Sequence, residues 1–268
     1  MFGFARGLLL LIVLLSSGSA LAFDHAYTGY AGLLQRQVTW LPQGHASTVD
    51  YQGLQQEHAA LRRELQQFSA VGQAEFEGWS RPRQMAFLIN AYNAFTLELI
   101  LSRYPDLDSI RDLGSLLRSP WKKPFFRLLG EERSLDWIEH QQLRPGYPDA
   151  RVHFAVNCAS IGCPALRPEP YLAERLEAQL DDQQRRFLGD RSRNRFDAAT
   201  GTLNVSMIFK WYGEDFATPA GGTEAWLAAR SALLADTPAE QARIASGAFK
   251  LDYRPYDWRL NDRRPPGR

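Results

Sequence analysis

The sequence predicts an α+β fold, a mainly helical single domain with a small antiparallel sheet and one buried apolar central helix. Three observations predict it. Segments with helical periodicity outnumber short β-forming segments, which favours an α+β arrangement. No repeat or long linker divides the 268 residues, a length that suits one domain. Hydrophobic residues make up 45% and charged residues 23%, which is typical of globular proteins and excludes a disordered chain.

Residues 1–22 have the layout of a signal peptide. A short basic start with Arg6 precedes the apolar run from Leu8 to Leu15, and Ala20-Leu21-Ala22 matches a cleavage site. The run is too short for a bilayer span, and no later stretch is long and apolar enough to be a transmembrane segment. We therefore expect a periplasmic or secreted protein whose single globular domain covers residues 23–262, with an uncleaved anchor as the alternative.

Two helices are predicted in the first half of the domain. Residues 54–71 carry Leu54, Leu61 and Phe68 at helical spacing between polar residues. The next helix begins after Ser80, with Pro82 in its first turn, and ends near residue 103, before a Tyr-Pro pair. Because this second helix is apolar on all faces, it is the predicted central helix.

The middle of the chain alternates short elements. Residues 125–129 read as a strand before a turn, and residues 135–143 as a short helix closed by Arg-Pro-Gly. Residues 152–156 are rich in β-forming residues and predict a strand. Residues 169–188 predict a second long amphipathic helix.

The last elements are a hairpin, a capped helix and a strand. Residues 193–196 and 202–205 flank a turn and predict the hairpin. Thr237 begins a capping box, and Gly247 closes the helix that follows. A final strand is predicted at 249–253, and residues 263–268 are expected to form a disordered tail.

Composition excludes several functional classes. Lysine and arginine total 31 against 30 acidic residues, a net charge of +1 that argues against nucleic acid as a partner. The sequence contains no glycine-rich phosphate loop and no H-E-x-x-H motif, so we expect no cofactor. His153 with Cys158 and Cys163 does not match a common zinc spacing and has no evident fourth ligand, so we expect no metal.

The candidate catalytic residues are Cys158, His153, Asn90 and Asn93. His153 and Cys158 lie five residues apart where the predicted strand opens into a turn, a usual place for catalytic groups. A histidine beside a thiol lowers its pKa and produces a nucleophilic thiolate. Asn90 and Asn93 share a face of the central helix and either orient the histidine or bind loop backbone. On this interpretation the protein is a cysteine hydrolase or acyl transferase.

Other interpretations of the two cysteines stay open. In an exported protein Cys158 and Cys163 are suited to a structural disulfide, with a pocket lined by Trp and Tyr that binds a small-molecule or peptide ligand without catalysis. A reversible C-x4-C pair would make the chain a thiol–disulfide redox protein. The remaining alternative is that both cysteines are simply small buried side chains with no chemical role.

Four segments in order resemble one known family. They are residues 90–94 (NAYNA), residues 153–164 (HFAVNC with Cys-Pro), residues 208–216 (IFKWY with Asp-Phe) and residues 256–261 (YDW with Leu-Asn). They resemble the family called domain of unknown function 547, over about residues 49–261. The resemblance implies an exported bacterial member and assigns no catalytic residue.

Overall fold

A computed structural model describes residues 22–115, 119–217 and 221–264. The predicted signal peptide lies outside this part of the chain except for Ala22, and so does the predicted tail from residue 265 onward. The described residues contain no helix with the length and apolar character that crossing a membrane requires. Helices dominate and the sheets are small, which confirms the predicted mainly helical α+β class.

The first part of the chain forms α-helices and two short hairpins. Its elements are α1 Thr28–Gln37, β1 Val38–Trp40, β2 Ser47–Val49, α2 Tyr51–Gln56, α3 His58–Ala70, α4 Gln73–Glu77, α5 Arg81–Leu101, β3 Phe126–Leu128 and β4 Glu131–Arg133, with 3-10 turns at Ile110–Leu113 and Pro120–Lys122.

The second part contains a π-helix, further helices and the largest sheet. Its elements are a π-helix at Trp137–Leu143, α6 Arg144–Gly146, α7 Val152–Ala155, α8 Leu176–Gly189, β5 Arg195–Asp197, β6 Thr202–Ser206, α9 Ile208–Trp211, α10 Gly213–Ala217, α11 Thr223–Ala228, α12 Ser231–Leu234, α13 Pro238–Ala245 and β7 Lys250–Arg254.

Helix α5 is the predicted central helix. Ser80 is its N-cap residue, Pro82 lies in its first turn, and nearly every side chain from Met85 to Leu101 is buried. The helix has no polar face, so other elements surround it, among them α3 and the π-helix. The helix predicted over 54–71 is divided at Glu57, whose backbone leaves the helical region.

Two of the predicted elements were wrong in type or extent. Residues 152–156 fold as the short helix α7, because the N–H groups of Val152, His153 and Phe154 bond to carbonyls three residues back and the segment is buried all round. Tertiary burial overrides β propensity there. Helix α8 begins at Leu176 instead of 169, because Pro170 disfavours helical backbone at the residue before it and the N–H groups of Tyr171 and Leu172 bond to side chains.

The sheets are small and almost entirely antiparallel. Strands β1 and β2, β3 and β4, and β5 and β6 form antiparallel pairs, and the last pair confirms the predicted hairpin. Strand β7 pairs parallel to β6. The capping box predicted at Thr237 is present, with Glu240 as its reciprocal member.

Helix α7 lies where two hydrophobic cores meet. Val152 and Ala155 pack in the core around α5, whereas Phe154 packs in a second core with Phe187 and Phe209. The C-terminal segment reaches the loop that follows α7, where Asn261 donates its N–H to the carbonyl of Ala159. The fold therefore gathers distant parts of the chain around residues 153–164.

Arg263 is held by strand β2 and its neighbours, although it falls in the predicted tail. Its N–H donates to the carbonyl of Val49, and its guanidinium bonds to Asp50 and Thr39. These contacts fasten the end of the described chain to the N-terminal hairpin.

Candidate functional site

Cys158 and Cys163 form a disulfide, with an S–S distance of 2.04 Å. Hydroxyl groups surround it, since Ser160 Oγ lies 3.1 Å from the sulfur of Cys158 and Tyr256 Oη lies 3.3 Å from each sulfur. The N–H of Cys158 also donates to the sulfur of Cys163. Both cysteines of the sequence are thus bonded to each other, and neither presents a free thiol.

Polar contacts fix the loop that carries the disulfide. The side chain of Asn157 donates to the carbonyl of Pro164 and accepts from the N–H of Ala159, whose backbone is left-handed with φ of 62°. Gly162 is required by close approach, because a Cβ there would lie 2.9 Å from the ring of Tyr256. The loop therefore packs directly against the C-terminal segment.

His153 is buried, with 2% of its surface exposed, and one of its nitrogens is tied to Asp215. Its Nε2 lies 2.7 Å from Asp215 Oδ2, and its ring stacks on Tyr212 with centroids 4.0 Å apart. Its Nδ1 is buried without a hydrogen-bond partner and lies 4.0 Å from Oε1 of Glu139.

Asp215 is held as a carboxylate. Arg144 donates to both of its oxygens, at 2.6 and 2.9 Å. Burial raises the pKa of Asp215, but the hydrogen bonds from His153 and Arg144 outweigh burial and hold that pKa well below its ordinary value. A carboxylate only accepts hydrogen bonds, so His153 Nε2 carries the proton. In neutral His153 the lone pair is then on Nδ1, the nitrogen that faces Glu139.

Asn90 and Asn93 bind backbone. Asn90 donates to the carbonyl of Tyr171 and accepts from the N–H of the same residue, at 2.8 and 2.9 Å. Asn93 donates to the carbonyl of Ala155 at 3.1 Å and accepts from the N–H of Asn157 at 2.8 Å. Each amide thus joins the central helix to a loop, and Asp215 occupies the orienting position that was predicted for them.

Glu139 is a buried carboxylate in the π-helix. It is 6% exposed and lies in the segment 135–143 that was predicted as a short helix. Burial raises the pKa values of the Tyr92 and Tyr212 hydroxyls, and the negative charge of Glu139 raises them further. π-Helical turns often mark functional positions, because they turn one side chain out of the helical register.

A cavity of about 510 Å³ brings Glu139, His153 and the disulfide together with a set of aromatic rings. Residues that line it include Tyr92, Arg111, Trp121, Asp136, Glu139, His140, His153, Cys158, Cys163, Trp211, Tyr212, Tyr256 and Trp258. Three of the rings form one aromatic wall, since Tyr256 lies 4.5 Å from Trp258 and 4.8 Å from Trp211 between centroids. The disulfide adjoins this wall through Tyr256.

Comparison with known proteins assigns part of this site to a family. Residues 76–188 match the family described as a protein of unknown function, DUF547. These residues belong to the DUF547 family. No curated protein and no solved structure matches the chain.

The DUF547 segment supplies only part of the cavity. Glu139, His153 and the disulfide lie within it, whereas the aromatic wall comes from later in the chain, as does Asp215, which bonds to His153 from outside the cavity lining. Asp215 and Glu139 were not among the predicted site residues. The segment 208–216 pointed to Asp215 through its resemblance, but the 62 residues that separate it from His153 hid the contact.

Metal binding has no geometric support in the part of the chain that the structure describes. No group of three or more His, Cys, Asp or Glu side chains among residues 22–115, 119–217 and 221–264 is arranged to hold an ion. The cavity offers carboxylate, imidazole, hydroxyl, disulfide and aromatic groups to a bound molecule.

Proposed function

We propose that the cavity binds a small organic ligand and that the Cys158–Cys163 disulfide is a structural part of its wall. One observation carries the proposal: a single space of about 510 Å³ collects aromatic rings together with the buried polar side chains of Glu139 and His153. Ligand sites in proteins are typically concave, several hundred Å³ in volume, and largely apolar with a few converging polar groups.

Contacts around His153 favour binding over thiol catalysis. A cysteine nucleophile needs a free thiol and a base directed at it, but Cys158 is in a disulfide and His153 Nε2 bonds to Asp215. The amides of Asn90 and Asn93 serve backbone groups. A ligand-binding role needs none of these contacts to change.

We also propose that residues 1–22 direct export to the periplasm or the cell exterior. The disulfide supports this proposal, because stable disulfides form in oxidising compartments. Expression of the full chain in a Gram-negative host followed by fractionation tests it. Processed protein in the periplasm or medium, with an N-terminus after Ala22, is expected, and unprocessed protein in the cytosol would contradict export.

A binding screen with a blocked cavity tests the ligand proposal. Ser119 lines the cavity and is exposed, so Ser119→Phe adds a ring to the entrance without disturbing the core. Ser246→Phe is the matched control on the exposed end of α13. Ligand-observed NMR would compare a panel of aralkyl amines, aromatic alcohols, methyl glycosides and dipeptides against the three proteins.

We expect at least one compound to bind the unmodified protein and Ser246→Phe, and to bind Ser119→Phe far more weakly. The proposal would be wrong if no class of compound bound, or if the binding survived equally in Ser119→Phe.

A further inference from the structure

We infer that the cavity selects ligands that carry an organic ammonium group, with Glu139 as the opposing charge. The inference rests on the proposed ligand-binding function and specifies the class of ligand. It is carried by an imbalance of charge at the buried end of the cavity and by an unsatisfied nitrogen beside it.

The fixed charges around Glu139 do not balance. Arg144 is matched by Asp215 through two hydrogen bonds. Within the described part of the chain, the one basic group in ion-pair range of Glu139 is His153, at 4.0 Å, and an imidazole, unlike a guanidinium or an ammonium, is not a permanent cation. A buried carboxylate without a cation is costly, since burial removes its hydration. A cationic ligand would supply the missing charge.

The second observation is that His153 Nδ1 is a buried atom that lacks a hydrogen-bond partner. Its side chain is 1% exposed, and the nitrogen has no hydrogen-bond partner although it faces Glu139 Oε1. A buried acceptor without a donor is destabilising, because burial removes the hydrogen bond that water would have made to it. An ammonium nitrogen has several N–H groups and so can serve both acceptors, whereas a hydroxyl donates one proton and satisfies only one. Because Nδ1 is closed to solvent, the ligand meets Glu139 first.

The aromatic lining fits the same ligand. The hydroxyls of Tyr92 and Tyr212 hydrogen-bond to Glu139, and the rings of Trp211 and Tyr256 line the same cavity. Faces of aromatic rings attract ammonium groups. Trp258 carries the guanidinium of Arg111 over its ring, 5.3 Å from the centroid. Arg111 is exposed and Glu139 is buried, so the cavity is positive at its rim and negative at depth. That order places the ligand cation at the inner end.

The remaining charged groups of the cavity are consistent with this polarity. Asp136 adds a second carboxylate, and His140 pairs weakly with it at 3.8 Å. The cavity lining thus holds two carboxylates, those of Glu139 and Asp136, against one guanidinium, that of Arg111.

A matched pair of probes tests the inference by isothermal titration calorimetry. 2-Phenylethylamine and 2-phenylethanol have the same shape but differ in charge. The proteins are the unmodified chain, Glu139→Gln, and Glu131→Gln as a control on an exposed carboxylate. Circular dichroism would check that each variant is folded.

We expect the amine to bind the unmodified protein about tenfold or more tightly than the alcohol, as a buried charged hydrogen bond requires. Glu139→Gln should remove that preference, and Glu131→Gln should keep it. If Glu139→Gln does not fold, Glu139→Asp, which retains the charge, should retain the preference.

Equal affinity for amine and alcohol in the unmodified protein would overturn the inference, as would an unchanged preference in Glu139→Gln. If neither probe binds but a glycoside or dipeptide of the screening panel does, the ammonium inference is wrong and the ligand-binding function stands. If nothing in the panel binds, both are wrong.

Discussion

Asn93 allows the sharpest test of how the fold holds the site. Its buried amide donates to the carbonyl of Ala155 and accepts from the N–H of Asn157, so it spans the end of α7 next to Cys158. Asn90 lies one turn earlier on α5, is equally buried, and makes the same pair of bonds to Tyr171. The two residues are therefore matched in burial and bonding but hold different loops.

Asn93→Ala leaves one buried N–H and one buried C=O without partners. Each unsatisfied group costs about 1–3 kcal/mol, so the free energy of unfolding should fall by about 3 kcal/mol. Asn90→Ala should cost a similar amount, because the lost bonds are alike. Only Asn93→Ala should loosen the disulfide loop, and it should raise the rate of disulfide reduction roughly fivefold through local opening.

Urea unfolding followed by circular dichroism gives the free energies. Native-state reduction by tris(2-carboxyethyl)phosphine, with thiols counted over time, gives the opening of the loop. A loss of less than about 0.5 kcal/mol in Asn93→Ala would refute the reasoning. So would equal acceleration of reduction in Asn90→Ala and Asn93→Ala.

Three further predictions concern charge, covalent bonding and capping. Folding lowers the pKa of Asp215, so the stability that Asp215 contributes is present above the unfolded pKa of about 3.9 and is lost as the pH falls below that value. The urea midpoints at pH 5 and about pH 3 should therefore differ less in Asp215→Asn than in the unmodified chain. An equal difference would contradict the linkage. Replacing Cys158 and Cys163 together by serine should lower the free energy of unfolding by about 2 kcal/mol, a modest loss because the disulfide closes a loop between cysteines only five residues apart. An unchanged urea midpoint would contradict this prediction. Thr237→Ala should cost about 1 kcal/mol by removing the cap of α13, measured in the same way, and an unchanged midpoint would show that the cap contributes nothing.

Local signals in the sequence were enough for several elements. The apolar faces of α5, the capping box at Thr237 and the turn of the 195–206 hairpin depend on neighbouring residues, so each is present as predicted. The sequence also pointed to the segment 153–163, which does line the cavity. Whether those residues catalyse a reaction stays a prediction.

Tertiary structure alone decided the chemistry of that segment. It placed the two sulfurs in a disulfide, directed His153 to Asp215 instead of to a thiol, and buried Glu139 through a π-helical turn. It also converted the predicted strand at 152–156 into a helix between two cores. Periodicity and spacing report only neighbours along the chain, whereas these outcomes depend on burial and, for His153 and Asp215, on a contact across 62 residues.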